Sequence, residues 1–315
     1  KQSHYRRVVM WIDEKTKEEI LTWWKPYAKK HKIVSNAVFF ASDFQRLHPF
    51  GKLLGQILHT VRTQKDAKDQ VTPTGGLELS YNLLLKGVPG KRRLLRTPRH
   101  SIETNEVLKA PQDGADVFLT INHCLQAIAE EELEKGVRAS FAKGGWAIII
   151  DPYTGHVLAL AQYPFFYPDS YSLYFSTPGL SEHAKIKAIS DANEPGSTMK
   201  AITISIALKA NMELIKHGKK PLFHPQEKID TSKGVFAGRG RKVLKDLSFH
   251  HFLNMYLAMQ KSSNIYMATL VDRIVKTLGP EWYRNELHET FGFGRKTNIE
   301  LPSESHGILP RPGKC

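Results

Sequence analysis

Residues 200–214 are apolar nearly all the way round, with Ile202, Ile204, Ile206, Ala207 and Leu208 in the run. A helix without a polar face cannot rest on a surface, so this one must cross the middle of a domain with other elements packed about it. Two more apolar helices are expected, over 249–259 and 266–278, after a polar, Gly- and Lys-rich excursion over 217–246. Turn-rich sequence follows from Phe291 to Cys315.

The residues ahead of that helix set the fold class. Val117, Leu119 and Ile121 alternate as a strand does, and 122–137 carries Leu125, Ile128, Ala129 and Leu133 at helical spacing. Two short strands, 146–150 and 156–162, flank the turn signal Asp151-Pro152-Tyr153-Thr154-Gly155. Helix, antiparallel pair and further helices make an α+β domain. A chain of 315 residues suits about two domains at roughly 150 residues each. The turn Pro111-Gln112-Asp113-Gly114 marks the division, giving 1–112 and 113–315. Within 1–112, a helix over 16–29 sets Ile20, Leu21, Trp23, Trp24 and Tyr27 on one face, which reads as core. Gly75-Gly76 opens a short helix bearing Leu77, Tyr81, Leu84 and Leu85, and 91–100 reads as a charged hairpin or loop.

Composition excludes several classes. Hydrophobic residues are 41% and charged residues 24%, ordinary globular usage that rules out a mainly disordered chain. Two cysteines, Cys124 and Cys315, cannot frame a disulfide scaffold or a cysteine-rich zinc module. No run approaches the roughly 18 apolar residues a membrane span needs. The net charge of +14 suits either a polyanionic partner or a solubilising surface. Its basic clusters, 25–32, 91–99 and 239–245, do not sit on a nucleic-acid module or form one long helical face, so no nucleic-acid partner is expected. The 14 histidines include His250-His251 but no helical His-x-x-x-His with a carboxylate, so neither metal nor cofactor is expected.

The chemistry lies at the start of the buried helix. A serine hydrolase without histidine needs another proton acceptor beside its hydroxyl, and a lysine three residues on shares its helix face. Ser-x-x-Lys occurs twice, as Ser140/Lys143 and Ser197/Lys200. Ser140 ends a polar helix running into Gly144-Gly145, where a lysine is a solvated charge. Ser197 follows Glu194-Pro195-Gly196 and opens the buried helix, where the helix N-terminus favours developing negative charge. Desolvation would disfavour the ammonium of Lys200 and make it a base. On these residues alone a second reading stands: Ser197 or Thr198 caps the helix and Lys200 snorkels outward. Ser-x-Asn also occurs twice. Ser80-Tyr81-Asn82 interrupts a short helix, whereas Ser262-Ser263-Asn264 falls between two apolar helices, where a loop can offer a hydroxyl and an amide to Ser197 and Lys200. Ser-x-x-Lys with Ser-x-Asn is the pairing found in β-lactamases and penicillin-binding proteins.

Glu194-Pro195-Gly196-Ser197-Thr198-Met199-Lys200, followed by Lys261-Ser262-Ser263-Asn264, resembles the transpeptidase domain of a class B penicillin-binding protein. Asp113-Gly114-Ala115-Asp116-Val117, Asp151-Pro152-Tyr153-Thr154-Gly155, Phe291-Gly292-Phe293-Gly294 and Ile299-Glu300-Leu301-Pro302 extend the likeness. Arg46-Leu47-His48-Pro49-Phe50-Gly51 and Gly75-Gly76-Leu77-Glu78 are similar to the family's pedestal. Glu before Pro-Gly-Ser, and Asn closing the second motif, match the septal branch. The resemblance implies a serine β-lactamase-like α+β domain over 113–315, preceded by an elongated α+β pedestal over 1–112. The family's Lys-Ser/Thr-Gly triplet is absent; Lys296-Thr297-Asn298 lacks the glycine. In the family that triplet lies on a later sheet strand that supplies an oxyanion donor. The chain is therefore expected to be the middle of a longer protein, with a sheet edge left bare, low stability and no activity by itself.

The implied activity is peptidoglycan D,D-transpeptidation. Ser197 attacks the penultimate D-alanine carbonyl of a stem peptide and Lys200 takes its proton. Ser262 relays it to the leaving D-alanine, and Asn264 hydrogen-bonds Lys200 and the substrate amide. The Ser197 N–H forms one arm of an oxyanion hole, worth about 3 kcal/mol in comparable sites. β-Lactams are the implied inhibitors, and membrane-embedded division and glycosyltransferase proteins the implied partners. The implied location is the periplasmic face of the bacterial inner membrane, with the anchor outside this chain. Two other functions remain open: a non-catalytic division scaffold keeping the fold, and a β-lactam sensor or hydrolase.

Overall fold

Asp13 caps the first helix, accepting the Thr16 N–H at 2.7 Å and leaving Glu14 in the first turn where negative charge suits the helix dipole. The computed structural model describes residues 6, 8–41, 43–62, 71–96, 102–236 and 243–313. Lys1, Cys315 and the basic residues of 97–101 and 237–242 lie outside the described residues. In chain order the helices of the first part are α1 (Glu14–Lys30), α2 (Gly55–Leu58), α3 (Gly76–Ser80) and α4 (Asn82–Leu85), followed by the antiparallel hairpin β1 (Lys91–Arg96) and β2 (Ile102–Lys109). Next come α5 (His123–Ala139), the hairpin β3 (Gly145–Ile150) and β4 (Val157–Tyr163), α6 (Tyr171–Ser176) and α7 (Lys187–Ser190). The last part holds α8 (Met199–Lys216), the two-residue strands β5 (Ile229–Asp230), β6 (Val235–Phe236), β7 (Leu244–Lys245) and β8 (Phe252–Leu253), and then α9 (Met255–Gln260), α10 (Asn264–Leu278) and α11 (Pro280–Asn285).

These elements form two compact units. The first runs to Leu119 and takes in Pro164–Ala184; the second comprises Thr120–Tyr163 and the chain from Lys185 onward. The first unit keeps 113–119, which stays packed on α4. The Ala115 N–H donates to the Leu84 carbonyl at 2.9 Å, and a Cβ on Gly114 would meet the Leu85 carbonyl.

In the first unit, α1 buries Trp24 and Ala28, with the Trp24 indole donating to the Ser35 carbonyl. Trp23 is 58% exposed and stacks on Tyr27, so the two tryptophans do not share the core as the sequence pattern suggested. Phe166, Tyr174 and Ala184 make a second buried cluster, and His59 lies against Phe166.

In the second unit, Asn122 caps α5, and buried Gln126 bonds both the N–H and the carbonyl of Leu160, standing in for a strand partner beside β4. The expected strand over 117–121 does not form. Thr120 Oγ1 and the Asn122 N–H donate to the carbonyls of Val157 and Leu158, but no ladder develops. Among the described residues β3 pairs with β4 alone, and Trp146, Ile148, Ile149 and Ile150 stay partly exposed. α8 packs on α10 through Ile206, Ala207, Ala210, Tyr266, Leu270 and Ile274. It is buried along one face only; Met212 and Ile215 on the other are exposed. The apolar stretch 249–259 is not one helix: β8 occupies its middle, and Asn254 starts α9 by accepting the Leu257 N–H. The cap residue ends the extended segment, a signal the run of apolar residues concealed. Among the described residues no helix is long and apolar enough to cross a membrane.

Candidate active site

A tight turn brings Ser197 to the head of α8. Gly196 has φ +62°, a left-handed conformation glycine adopts without steric cost, and Gly196–Thr198 form a 3₁₀ turn that runs directly into the helix. Ser197 and Lys200 then fall three residues apart on one face. Ser197 is exposed, while Lys200 is only 9% exposed. Lys200 does not snorkel. Its Nζ sits 2.9 Å from Ser197 Oγ, 2.8 Å from Ser262 Oγ and 2.7 Å from the Ser262 carbonyl. Ser262 Oγ lies 3.0 Å from Ser197 Oγ and closes the triangle.

Ser262 reaches this place through a backbone strained for a residue with a Cβ, φ +54° between α9 and α10, which costs about 1–2 kcal/mol. The turn is pinned on its N-terminal side by the bonds Ser262 N–H to Met259 and Ser263 N–H to the Ala258 carbonyl. Ser263 is fully buried and caps α10, accepting the Tyr266 N–H. Asn264 begins α10, and its Nδ2 donates to the Lys245 carbonyl at 2.8 Å. The expected Asn264–Lys200 hydrogen bond is absent: the oxygens around Nζ belong to the two serines. The register of β7 is the reason, since it sets a carbonyl in front of the Asn264 amide.

The other copies of the two patterns do not converge. Ser140 caps the end of α5, donating to the Gly136 and Val137 carbonyls, and Ser80 and Asn82 flank the junction of α3 and α4. Among the described residues no group of three metal-ligating side chains gathers.

The profile of the penicillin binding protein transpeptidase domain matches residues 145–314, more than half of the chain and all of the triangle. This chain belongs to the penicillin-binding protein transpeptidase family. The peptidoglycan D,D-transpeptidase FtsI of Buchnera aphidicola subsp. Baizongia pistaciae is 30% identical over 274 residues, covering 86% of this chain and 42% of that protein. The probable peptidoglycan D,D-transpeptidase PenA of Neisseria gonorrhoeae is 32% identical over 275 residues, with 86% and 42% covered. Penicillin Binding Protein 2X from Streptococcus thermophilus superposes with a TM-score of 0.70 over 95% of this chain and 42% of that one, at 21% identity. The chain thus spans about two fifths of the length of the curated relatives it matches. These relatives identify it as a class B penicillin-binding protein transpeptidase, and its α+β architecture agrees with theirs.

One residue of this transpeptidase-family site escaped the sequence reading. Asp246, just after β7, accepts the N–H groups of Asn264 and Ile265 and the hydroxyl of Ser263. It lies in the stretch that reads as a polar excursion, and only its place 17 residues before a buried helix-capping serine could have hinted at it.

Proposed function

We propose that this chain supplies the nucleophile, base and proton relay of a peptidoglycan D,D-transpeptidase that works by a serine acyl-enzyme. The observation carrying the proposal is the closed triangle of Ser197 Oγ, Lys200 Nζ and Ser262 Oγ, each pair 2.8–3.0 Å apart. A neutral amine has two N–H bonds and one lone pair. Lys200 can therefore donate to the Ser262 carbonyl and hydroxyl while accepting from Ser197, with Ser262 donating back to Ser197 Oγ. Every proton in the cycle has an acceptor.

Ser197 Oγ attacks the carbonyl carbon of the penultimate D-alanine as its proton passes to Lys200. The carbonyl oxygen becomes an oxyanion at the Ser197 N–H, one arm of the oxyanion hole. Collapse breaks the peptide C–N bond, Ser262 protonates the departing D-alanine amine, and Lys200 returns a proton to Ser262. The amine of a neighbouring stem then attacks the acyl ester and gives up a proton through Ser262 to Lys200; as the ester C–O bond breaks, Lys200 returns that proton to Ser197 Oγ and the free serine is restored. Asn264 is assigned to the substrate amide alone.

The same reading makes 1–112 a pedestal and makes penicillins acylating inhibitors. It sets the whole protein on the periplasmic face of the inner membrane with division and glycosyltransferase partners. The test is a fluorescent penicillin applied to the whole protein. Stable stoichiometric labelling that vanishes in Ser197→Ala is expected. Absence of labelling, labelling that survives Ser197→Ala, or rapid turnover of the drug overturns it.

A further inference from the structure

The triangle depends on a turn that Lys200 grips only at Ser262 itself, through its carbonyl and hydroxyl. Ser262 has the left-handed backbone that any non-glycine residue tends to leave, and the chain on either side of it is fixed by other elements. α9 fixes the approach, through the Ser262 and Ser263 N–H bonds to Met259 and Ala258. The exit is fixed by Lys245 and Asp246. Asp246 Oδ1 takes the Asn264 N–H at 2.5 Å and the Ile265 N–H at 3.1 Å, and Oδ2 takes the Ser263 hydroxyl at 2.6 Å. Lys245 offers its carbonyl to the Asn264 amide. Two consecutive residues thus clasp Ser263, Asn264 and Ile265 with four hydrogen bonds, immediately after the serine that faces Lys200.

We infer that Asp246 is a positioning residue for the acyl-transfer site: it holds Ser262 Oγ within hydrogen-bond reach of Ser197 and Lys200 without touching substrate. This rests on the transpeptidase reading above. A charged carboxylate is suited to the task. It accepts three donors at once, where a neutral side chain of this size accepts fewer, and bonds to an ionised acceptor are the stronger kind. It also faces the N-terminus of α10, whose dipole favours a negative charge. Without it, two N–H groups and the Ser263 hydroxyl lose their acceptor, and only α9 and Lys200 still oppose the return of Ser262 to an ordinary backbone. The hydroxyl would then swing away from the nucleophile while the α8–α10 core stayed packed. A displacement of about 1 Å in such an arrangement costs on the order of 100-fold in rate.

The experiment is acylation by a fluorescent penicillin in the whole protein, followed in time for wild type, Asp246→Ala, Asp246→Asn, Ser263→Ala and Ser197→Ala. Final stoichiometry gives the fraction of intact sites, and the time course gives the rate constant per intact site. Asp246→Ala should label to near-wild-type stoichiometry with a rate constant lowered about 10–100-fold and unchanged initial drug binding. Asp246→Asn keeps an acceptor for the two N–H groups and should recover part of the loss. Ser263→Ala, which removes the side-chain link to Asp246 together with the α10 cap on the Tyr266 N–H but leaves Asp246 its two backbone N–H donors, should fall between wild type and Asp246→Ala. It carries the test if Asp246→Ala does not fold. Wild-type rate constants in Asp246→Ala and Ser263→Ala overturn the inference, as does a loss of stoichiometry at an unchanged rate constant, the mark of a purely structural role. Wild type that never labels, or Ser197→Ala that labels equally, overturns the transpeptidase reading instead.

Discussion

Two buried polar side chains of the second unit are treated in opposite ways. Lys200 Nζ faces three oxygens at 2.7–2.9 Å, so its desolvation is matched by partners. Tyr266, fully buried on α10, has a hydroxyl with no hydrogen-bond partner among the described residues. Burial pushes its phenol up to about 12, with the Glu227 carboxylate adding to the effect, and so keeps it neutral. An unpartnered buried hydroxyl costs about 1–3 kcal/mol, while the ring itself packs against the α8–α10 core. Tyr266→Phe should therefore stabilise the protein by about 1 kcal/mol. Urea unfolding of the two proteins checks this; a variant less stable than wild type would mean that the hydroxyl is used.

At the level of elements, glycines decide where the chain can turn. α3 begins at Gly76, whose φ is +52° and whose Cβ, if present, would lie 2.2 Å from the Ile57 carbonyl oxygen. Gly75 is closed by the ring of His59, 2.6 Å from the place of a Cβ. Gly76→Ala meets both a left-handed backbone and a backbone atom that cannot give way, so it should cost about 2 kcal/mol or more, read as a lowered melting temperature. The pair is visible in the sequence, but its reason is not: Ile57 and His59 lie well upstream and the contact is tertiary. The same division holds elsewhere. α8, α10, α5 and the β3–β4 hairpin announce themselves because their periods and turn residues are local. The strand read into 117–121 fails because alternation alone provides no partner, and the helix read into 249–259 fails because apolar content hides the Asn254 cap. Ser197, Lys200, Ser262 and Asn264 stand out as short motifs. Asp246 does not, because a lone aspartate becomes informative only when folding carries it to Ser263.

Across the whole chain, acid acts on the two units through different groups. In the first unit, His59 has its pKa lowered by burial, only partly opposed by its Nε2–H bond to the Ala184 carbonyl. The folded state resists the proton that the unfolded state accepts near 6.5, so stability falls as pH drops below that value. In the second unit, Glu227 is held low by its hydrogen bonds to Arg273, burial opposing. Burial pushes Glu286 up, yet bonds from Lys209 and Thr290 leave it below the usual range. Both carboxylates contribute stability above the unfolded value of 4.5 and lose it as pH falls through their lower folded pKa values. Acidification should therefore loosen 55–62 and 71–80 from about pH 6.5 downward, while α8 and α10 keep their protection to below about pH 4.5. Amide-exchange protection factors, corrected for intrinsic rate and measured across this range, separate the two windows. His59→Asn should flatten the first without moving the second, and Glu227→Gln should weaken the second, leaving the share of Glu286, without moving the first. A single common transition would mean that neither group governs its own unit.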